Sequence, residues 1–96
     1  MSRRAPRPLA SALAELSAAL APRTLLARVQ EVWPAVAGQA IASAATPTAE
    51  RDGVLTLTCE AAVWAHELDM MAPELIERVN AALAEPAVTA LRCRTG

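Results

Sequence analysis

Leu9, Leu13, Leu16 and Leu20 recur at helical spacing with alanines between them, which predicts an amphipathic helix stopped at Ala21-Pro22. Thr24 stands as the N-cap of a second helix, whose apolar stripe is Leu25, Leu26, Val29, Val32, Trp33 and Val36. Pro34 lies inside that stripe. It lacks a backbone donor and crowds the carbonyl four residues back, so the helix is expected to kink or be cut at Trp33 and to restart with Pro34 in its first turn. The Trp33 ring then fills the gap that the bend opens, a structural plug, unless it belongs to a surface that another molecule reads. Gly38 either lets the backbone approach a neighbour closely or ends the short second piece.

From Ala44 the bulky residues thin out, and Pro47 confines any strand there to an edge or an irregular course. Asp52-Gly53 is the strongest turn signal in the chain and predicts a tight hairpin. "VLTLTCE" follows with strict alternation, placing Leu55, Leu57 and Cys59 on one face and Val54, Thr56, Thr58 and Glu60 on the other. Next comes a long helical segment with Trp64, Leu68, Met71, Leu75, Val79 and Leu83 as its stripe, flanked by Val63 and Ile76. Pro73 divides it, so a kink or two consecutive helices is expected near "DMMAPEL". The final "AVTALRCR" reads as a strand with Thr89, Leu91 and Cys93 on one side and Val88, Ala90 and Arg92 on the other. The fold class is therefore α+β, in the order α-α-β-β-α(split)-β. It is a small sandwich of a three-stranded sheet with helices packed on one face.

Ninety-six residues make one domain, and much of its 54% hydrophobic content is alanine, which buries little area. Such a module is only moderately stable alone, and association would help it. Residues 1–8, "MSRRAPRP", hold two prolines and three arginines and read as a flexible basic arm. Residues 9–22 form the leucine helix, and 23–96 the main domain. The leucine stripe packs either on its own domain or on a second copy.

Net charge is −1, which argues against broad polyanion binding, but the charges are not evenly spread. All the cations are arginine. Arg3, Arg4, Arg7, Arg23 and Arg28 face only Glu15 in the first thirty residues; the middle is acidic, with only Arg51 and Arg78; Arg92 and Arg94 close the chain. The terminal arginines could reach phosphate, although solvated tails have the same composition.

Catalytic chemistry is poorly provided for. There is one histidine, His66, whose neighbours Glu67 and Asp69 do not face it on a helix. No serine stands beside a base, and the three glycines are too scattered for a phosphate loop. Cys59 and Cys93 have no metal-ligand spacing and read as small apolar groups. Met70-Met71 looks like a soft binding spot, yet Met71 belongs to the core stripe. A non-enzymatic binding module without cofactor or metal is expected. Neither a signal peptide nor an apolar run of membrane-spanning length is present in the sequence, and a cytoplasmic protein with reduced thiols is expected.

Two phrases taken together are more specific. "VQEVWPAVAGQAIA" and "RDGVLTLTCEAAVWAHELDMMAPELIERVN" resemble the bacterial DciA family. The matching features are the Trp33-Pro34 pair followed by Ala37-Gly38, the hairpin Asp52-Gly53-Val54-Leu55, and Trp64 in "AAVWAHEL". The Pro73-Glu74-Leu75 step and the terminal "VTALRCR" strand complete the set, which spans Leu25 to Arg94. The resemblance implies a KH-like fold and a role in DNA replication. It implies binding to the ring-shaped, DnaB-type replicative helicase and help in loading it on single-stranded DNA, without ATPase activity. KH domains that grip nucleic acid use a Gly-x-x-Gly loop between helices, and "DMMAPEL" has no glycine at the corresponding break. DNA contact must use another face, for which Arg3, Arg4, Arg7, Arg92 and Arg94 are the candidates. The alternatives are a stand-alone KH-like nucleic-acid binder and a structural homodimer module. In all three readings Trp33 and Trp64 are anchors that fix the helices.

Overall fold

A computed structural model of the chain describes residues 23–96; the basic arm and the leucine helix expected over 1–22 lie outside the described residues. Thr24 caps the first described helix as expected, its hydroxyl accepting the Ala27 N–H at 3.0 Å. That helix, α1, covers Leu25–Ala37, and a short α2 covers Gln39–Ala44. Strand β1 (Ala45–Arg51) turns at Asp52-Gly53 into β2 (Val54–Cys59); α3 (Ala62–Met70) and α4 (Ala72–Leu83) then lead to β3 (Ala90–Thr95). The sheet order is β1-β2-β3, with β1 and β2 antiparallel and β3 parallel to β2. The α3–α4 pair is the crossover that a parallel neighbour requires. This is the expected α+β, KH-like arrangement.

Pro34 does not cut its helix: α1 runs through it to Ala37 and the break falls at Gly38. The proline removes one internal hydrogen bond in the last turn of the helix, where the Pro34 carbonyl still accepts the Gly38 N–H at 3.0 Å. Val29 and Trp33, both buried in the core, hold the helix on either side of the missing bond. Gly38 has φ +88°, a region that L side chains avoid, whereas a Cβ there would meet nothing. Conformation, not close approach, is what requires glycine.

The hairpin forms as expected. Arg51 pairs with Val54 across a two-residue turn in which Asp52 and Gly53 both have positive φ. Gly53 has a second duty, since its carbonyl accepts the Thr89 N–H at 2.8 Å and ties the hairpin to the start of β3. Leu55, Leu57 and Cys59 are all buried, with Leu68, Leu75 and Val79 of the helices against them. Trp64, Met71, Leu83, Leu91 and Cys93 pack partly buried around this centre. The break in the long helical segment is at Met71, and Pro73 sits in the first turn of α4, where a missing donor is harmless.

Two expectations fail. Val63 does not flank the core stripe but is 65% exposed. Val88, placed on the side of Ala90 and Arg92 and opposite Leu91 and Cys93, is buried, because it precedes β3 rather than belonging to it. Asn80 of α4 makes this possible: its amide donates to the Val88 carbonyl and accepts the Val88 N–H, each at 2.8 Å. The side chain thus replaces a strand partner, and the apolar Val88 side chain can enter the core with its backbone satisfied.

β1 is an edge strand with a register shift between Pro47 and Ala49. The Glu60 N–H donates to the Ala44 carbonyl at 2.8 Å, so in the antiparallel ladder the backbone groups of Ala45 and Pro47 point away from β2. Helix α1 meets both. The Trp33 indole N–H donates to the Ala45 carbonyl at 2.9 Å, and the Gln30 amide donates to the Pro47 carbonyl at 3.0 Å. Proline at 47 removes the outward N–H that α1 could not have satisfied. Trp33 therefore closes a sheet edge with its indole while its ring is buried in the core.

Trp33→Phe should keep the apolar contacts and leave the Ala45 carbonyl without its indole donor, costing about 1–3 kcal/mol in urea unfolding. Gln30→Ala, at a more exposed position, should cost less than about 1 kcal/mol. Equal stability of Trp33→Phe and the parent chain would show that the edge needs no such donor.

Candidate functional site

The arginines of residues 23–96 divide into two groups. Arg23 forms a two-point pair with Glu31, at 2.7 and 2.6 Å. The guanidinium holds the Glu31 carboxyl below its ordinary range, chiefly through the hydrogen bonds and then through charge. Arg28 binds Glu85 and reaches the Leu83 carbonyl, tying α1 to the C-terminal end of α4. Arg78 pairs with Glu74 one helical turn earlier. Arg51, Arg92 and Arg94 are exposed and make no ion pair with any carboxylate among the described residues.

These three share one surface. The parallel register sets Arg92 beside Thr56 and Arg94 beside Thr58, while Leu91 and Cys93 between and before them face the core. Arg51 pairs with Val54, which also points away from the helices. The face opposite the helices therefore presents three guanidinium groups over a row of threonines. Thr48 and Thr58 share a hydroxyl hydrogen bond of 2.8 Å there. A shallow depression of about 300 Å³ lies between Arg51 and Arg92, floored by Val54 and Thr56. Glu50 and Asp52 edge it near the hairpin. Glu50 is partly neutralised as an acceptor, its carboxylate taking the Gly53 N–H at 2.8 Å.

Such a surface can hold phosphates by charge and hydrogen bonding. It cannot stack bases in the usual way, because the chain has no Phe or Tyr and both tryptophans stand on helices. Binding of this kind is tolerant of sequence and sensitive to salt. The helical side has the opposite sign. No Lys or Arg occurs between Arg51 and Arg78, a span holding Glu60, Glu67, Asp69, Glu74 and Glu77 after the hairpin. Arg92 and Arg94 are thus brought together as candidates, while Arg3, Arg4 and Arg7 lie outside the described residues. Arg51 was not singled out in the sequence because it sits in the acidic middle. The signal was nonetheless present: a two-residue turn at Asp52-Gly53 pairs Arg51 with Val54, on the polar face of the alternating strand.

The remaining anchors hold their places in the frame: Trp64 partly buried against the core, Pro73 in the first turn of α4, and Asp52 and Gly53 at the turn. Cys59 and Cys93 are free thiols facing the core from β2 and β3. Burial pushes the Cys93 thiol up to about 11, helped by Cys59 and Asp69 nearby, and burial also raises Cys59. No group of three or more His, Cys, Asp or Glu able to hold a metal ion occurs among the described residues. No helix among them is long and apolar enough to cross a membrane.

The profile of the family described as "Dna[CI] antecedent, DciA" matches residues 8–93, and the chain belongs to that family. It is similar to a UPF0232 protein of Mycobacterium tuberculosis strain H37Rv, with 36% identity over 91 residues, or 93% of this chain and 49% of the relative. It is also similar to UPF0232 proteins of Mycolicibacterium paratuberculosis and Mycolicibacterium smegmatis. Each is 43% identical over 60 residues, covering 62% of this chain and 33% and 31% of those proteins. The chain thus spans about half or less of the length of these relatives.

A thiol with its pKa near 11 is almost wholly protonated at neutral pH, and the thiolate is the nucleophile. Native Cys93 should therefore react with iodoacetamide at pH 8 about two orders of magnitude more slowly than in urea, where a free cysteine ionises near 8.5. The native rate should climb with pH beyond 9. Equal native and denatured rates, followed by mass spectrometry of the peptide, would refute the burial argument.

Proposed function

We propose that this chain is a non-catalytic accessory module of DNA replication, which binds a DnaB-type replicative helicase and assists its loading on single-stranded DNA in the cytoplasm. Membership of the DciA family over residues 8–93 carries this reading. The segregation of charge supports it, since a basic sheet face and an acidic helical side suit a module that meets a strand and a protein at once. Arg51, Arg92 and Arg94 hold phosphates of the strand, with Arg3, Arg4 and Arg7 as a second set of contacts. The DNA contact is weak by itself, because it involves few charges and no stacking platform. Trp33, Trp64, Pro34, Gly38, Asp52, Gly53 and Pro73 contribute indirectly by fixing the frame that carries these groups.

A second reading, a stand-alone nucleic-acid binder, is favoured by the same three arginines. Its distinguishing property is tight oligonucleotide binding without any helicase. A third, a homodimer module, requires association that grows with concentration.

Gel filtration of the purified chain with its host's replicative helicase at tens of micromolar should give co-elution. Independent elution would count against the first reading, since specific interfaces persist well below that concentration. Anisotropy with a labelled oligothymidine should show binding that weakens steeply with salt. The triple variant R51A/R92A/R94A should lower that affinity about tenfold or more and flatten the salt slope by about 2, at roughly 0.7 per lost phosphate contact. R3A/R4A/R7A should weaken it further. An unchanged slope in the first variant would remove the sheet face from the argument.

A further inference from the structure

α3 carries apolar side chains on two opposite sides. Leu68 is fully buried, and Trp64 and Ala65 pack against the core. Val63 and Met70 are instead 65% and 69% exposed, and with Val54 they are the large hydrophobic residues exposed among those described. At 3.6 residues per turn, Val63, His66 and Met70 fall on one stripe facing away from Leu68. A helix lying on a domain surface ordinarily turns polar residues to water on that side. Core packing accounts for Leu68 and Trp64 and leaves Val63 and Met70 unexplained.

The surroundings of this stripe have one sign. Glu67 and Asp69 flank it on either side, Glu60 lies just before the helix, and none of the three is in an ion pair with a described cation. His66 sits between the two apolar residues and is exposed. Among the described residues, the arginines outside ion pairs are on the sheet face, away from α3. A second copy of this face would set Glu67 and Asp69 against their own counterparts, which like charges disfavour.

We propose that the outer face of α3 is a docking surface for a basic amphipathic helix of a partner protein, with Val63 and Met70 as its apolar contacts and Glu67 and Asp69 as the acidic rim. In such helix-on-helix recognition, apolar anchors two turns apart give affinity and flanking charges give orientation. The inference deepens the proposed function, since the partner is then the helicase, and it assigns protein and DNA to different faces of the domain.

The test uses the full chain, the host's replicative helicase and an oligothymidine, with binding read by interferometry and anisotropy. V63S/M70Q should weaken helicase binding at least tenfold, or about 1.4 kcal/mol, and leave oligonucleotide affinity unchanged. E67Q/D69N, which leaves the apolar stripe intact, should weaken helicase binding and reduce its salt dependence. Both pairs are at exposed positions, and unchanged circular dichroism and melting temperature confirm their fold. Parent-like helicase binding by both variants overturns the docking surface while leaving the replication reading standing. Absence of helicase binding by the parent chain overturns both. A concentration-dependent dimer in sedimentation that V63S/M70Q abolishes would identify a second copy as the occupant and overturn the inference. So would helicase binding that depends on residues 1–22 and not on Val63 or Met70.

Discussion

The fold depends on how α1 closes the edge of β1. An edge strand exposes backbone groups that another strand can claim, and small sheets must cover them. Here the cover is a helix, and the groups it meets are specific: the indole of Trp33 on the Ala45 carbonyl and the amide of Gln30 on the Pro47 carbonyl. These donors stand three residues apart and so on one side of α1. The same side buries Val29 and the ring of Trp33 in the core. One helical face thus supplies both apolar burial and polar satisfaction. With α1 fixed in this way, the helices occupy one side of the sheet and the threonine-and-arginine side stays open among the described residues. The candidate binding face follows from where the edge is closed.

Much of this frame was legible from residue pattern alone, where the physics is local. Thr24 as a cap, Asp52-Gly53 as a two-residue turn, the alternation of Leu55, Leu57 and Cys59, and the division of the long helical segment near Pro73 each depend on neighbours within a few positions. The misreadings involve partners distant in sequence. Pro34 does not cut α1, in which Trp33 is held by Ala45, beyond the next helix. Val88 leaves the strand alternation because Asn80 supplies its backbone partners. Arg51 joins the arginines of β3 only when the sheet order is known, since β2 lies between them. The candidate surface was half legible for the same reason: Arg92 and Arg94 are spaced by one strand period, but their third companion comes from another strand.

The charge pattern gains its meaning from this topology. Along the chain, basic ends surround an acidic middle, a description that suits solvated tails equally well. In space, three of the described arginines are consumed by internal pairs, two of them joining distant parts of the helical layer or its start. Surface pairs of this kind add little stability each, but among the described residues they leave the uncommitted guanidinium groups on the sheet. A net charge of −1 therefore conceals two surfaces of opposite sign. On the proposed reading, in which the module approaches both a polyanion and a protein, that separation matters more than the total.

The separation also limits the mechanism. β3 lies between the two faces: Leu91 and Cys93 point into the core, and Arg92 and Arg94 point outward from the same strand. A ligand on one face can influence the other only if the domain has a second conformation that one of them prefers. The described residues form one close-packed layer on a short sheet with its hydrophobic centre fully buried, and such interiors do not deform gradually. On the proposed reading the module therefore works as a bridge. Holding a strand on one side and a helicase on the other raises the local concentration of each for its counterpart. That gain needs no switch, no nucleotide and no reactive group, and it allows the individual DNA contact to remain weak enough to release the strand once the ring has closed around it.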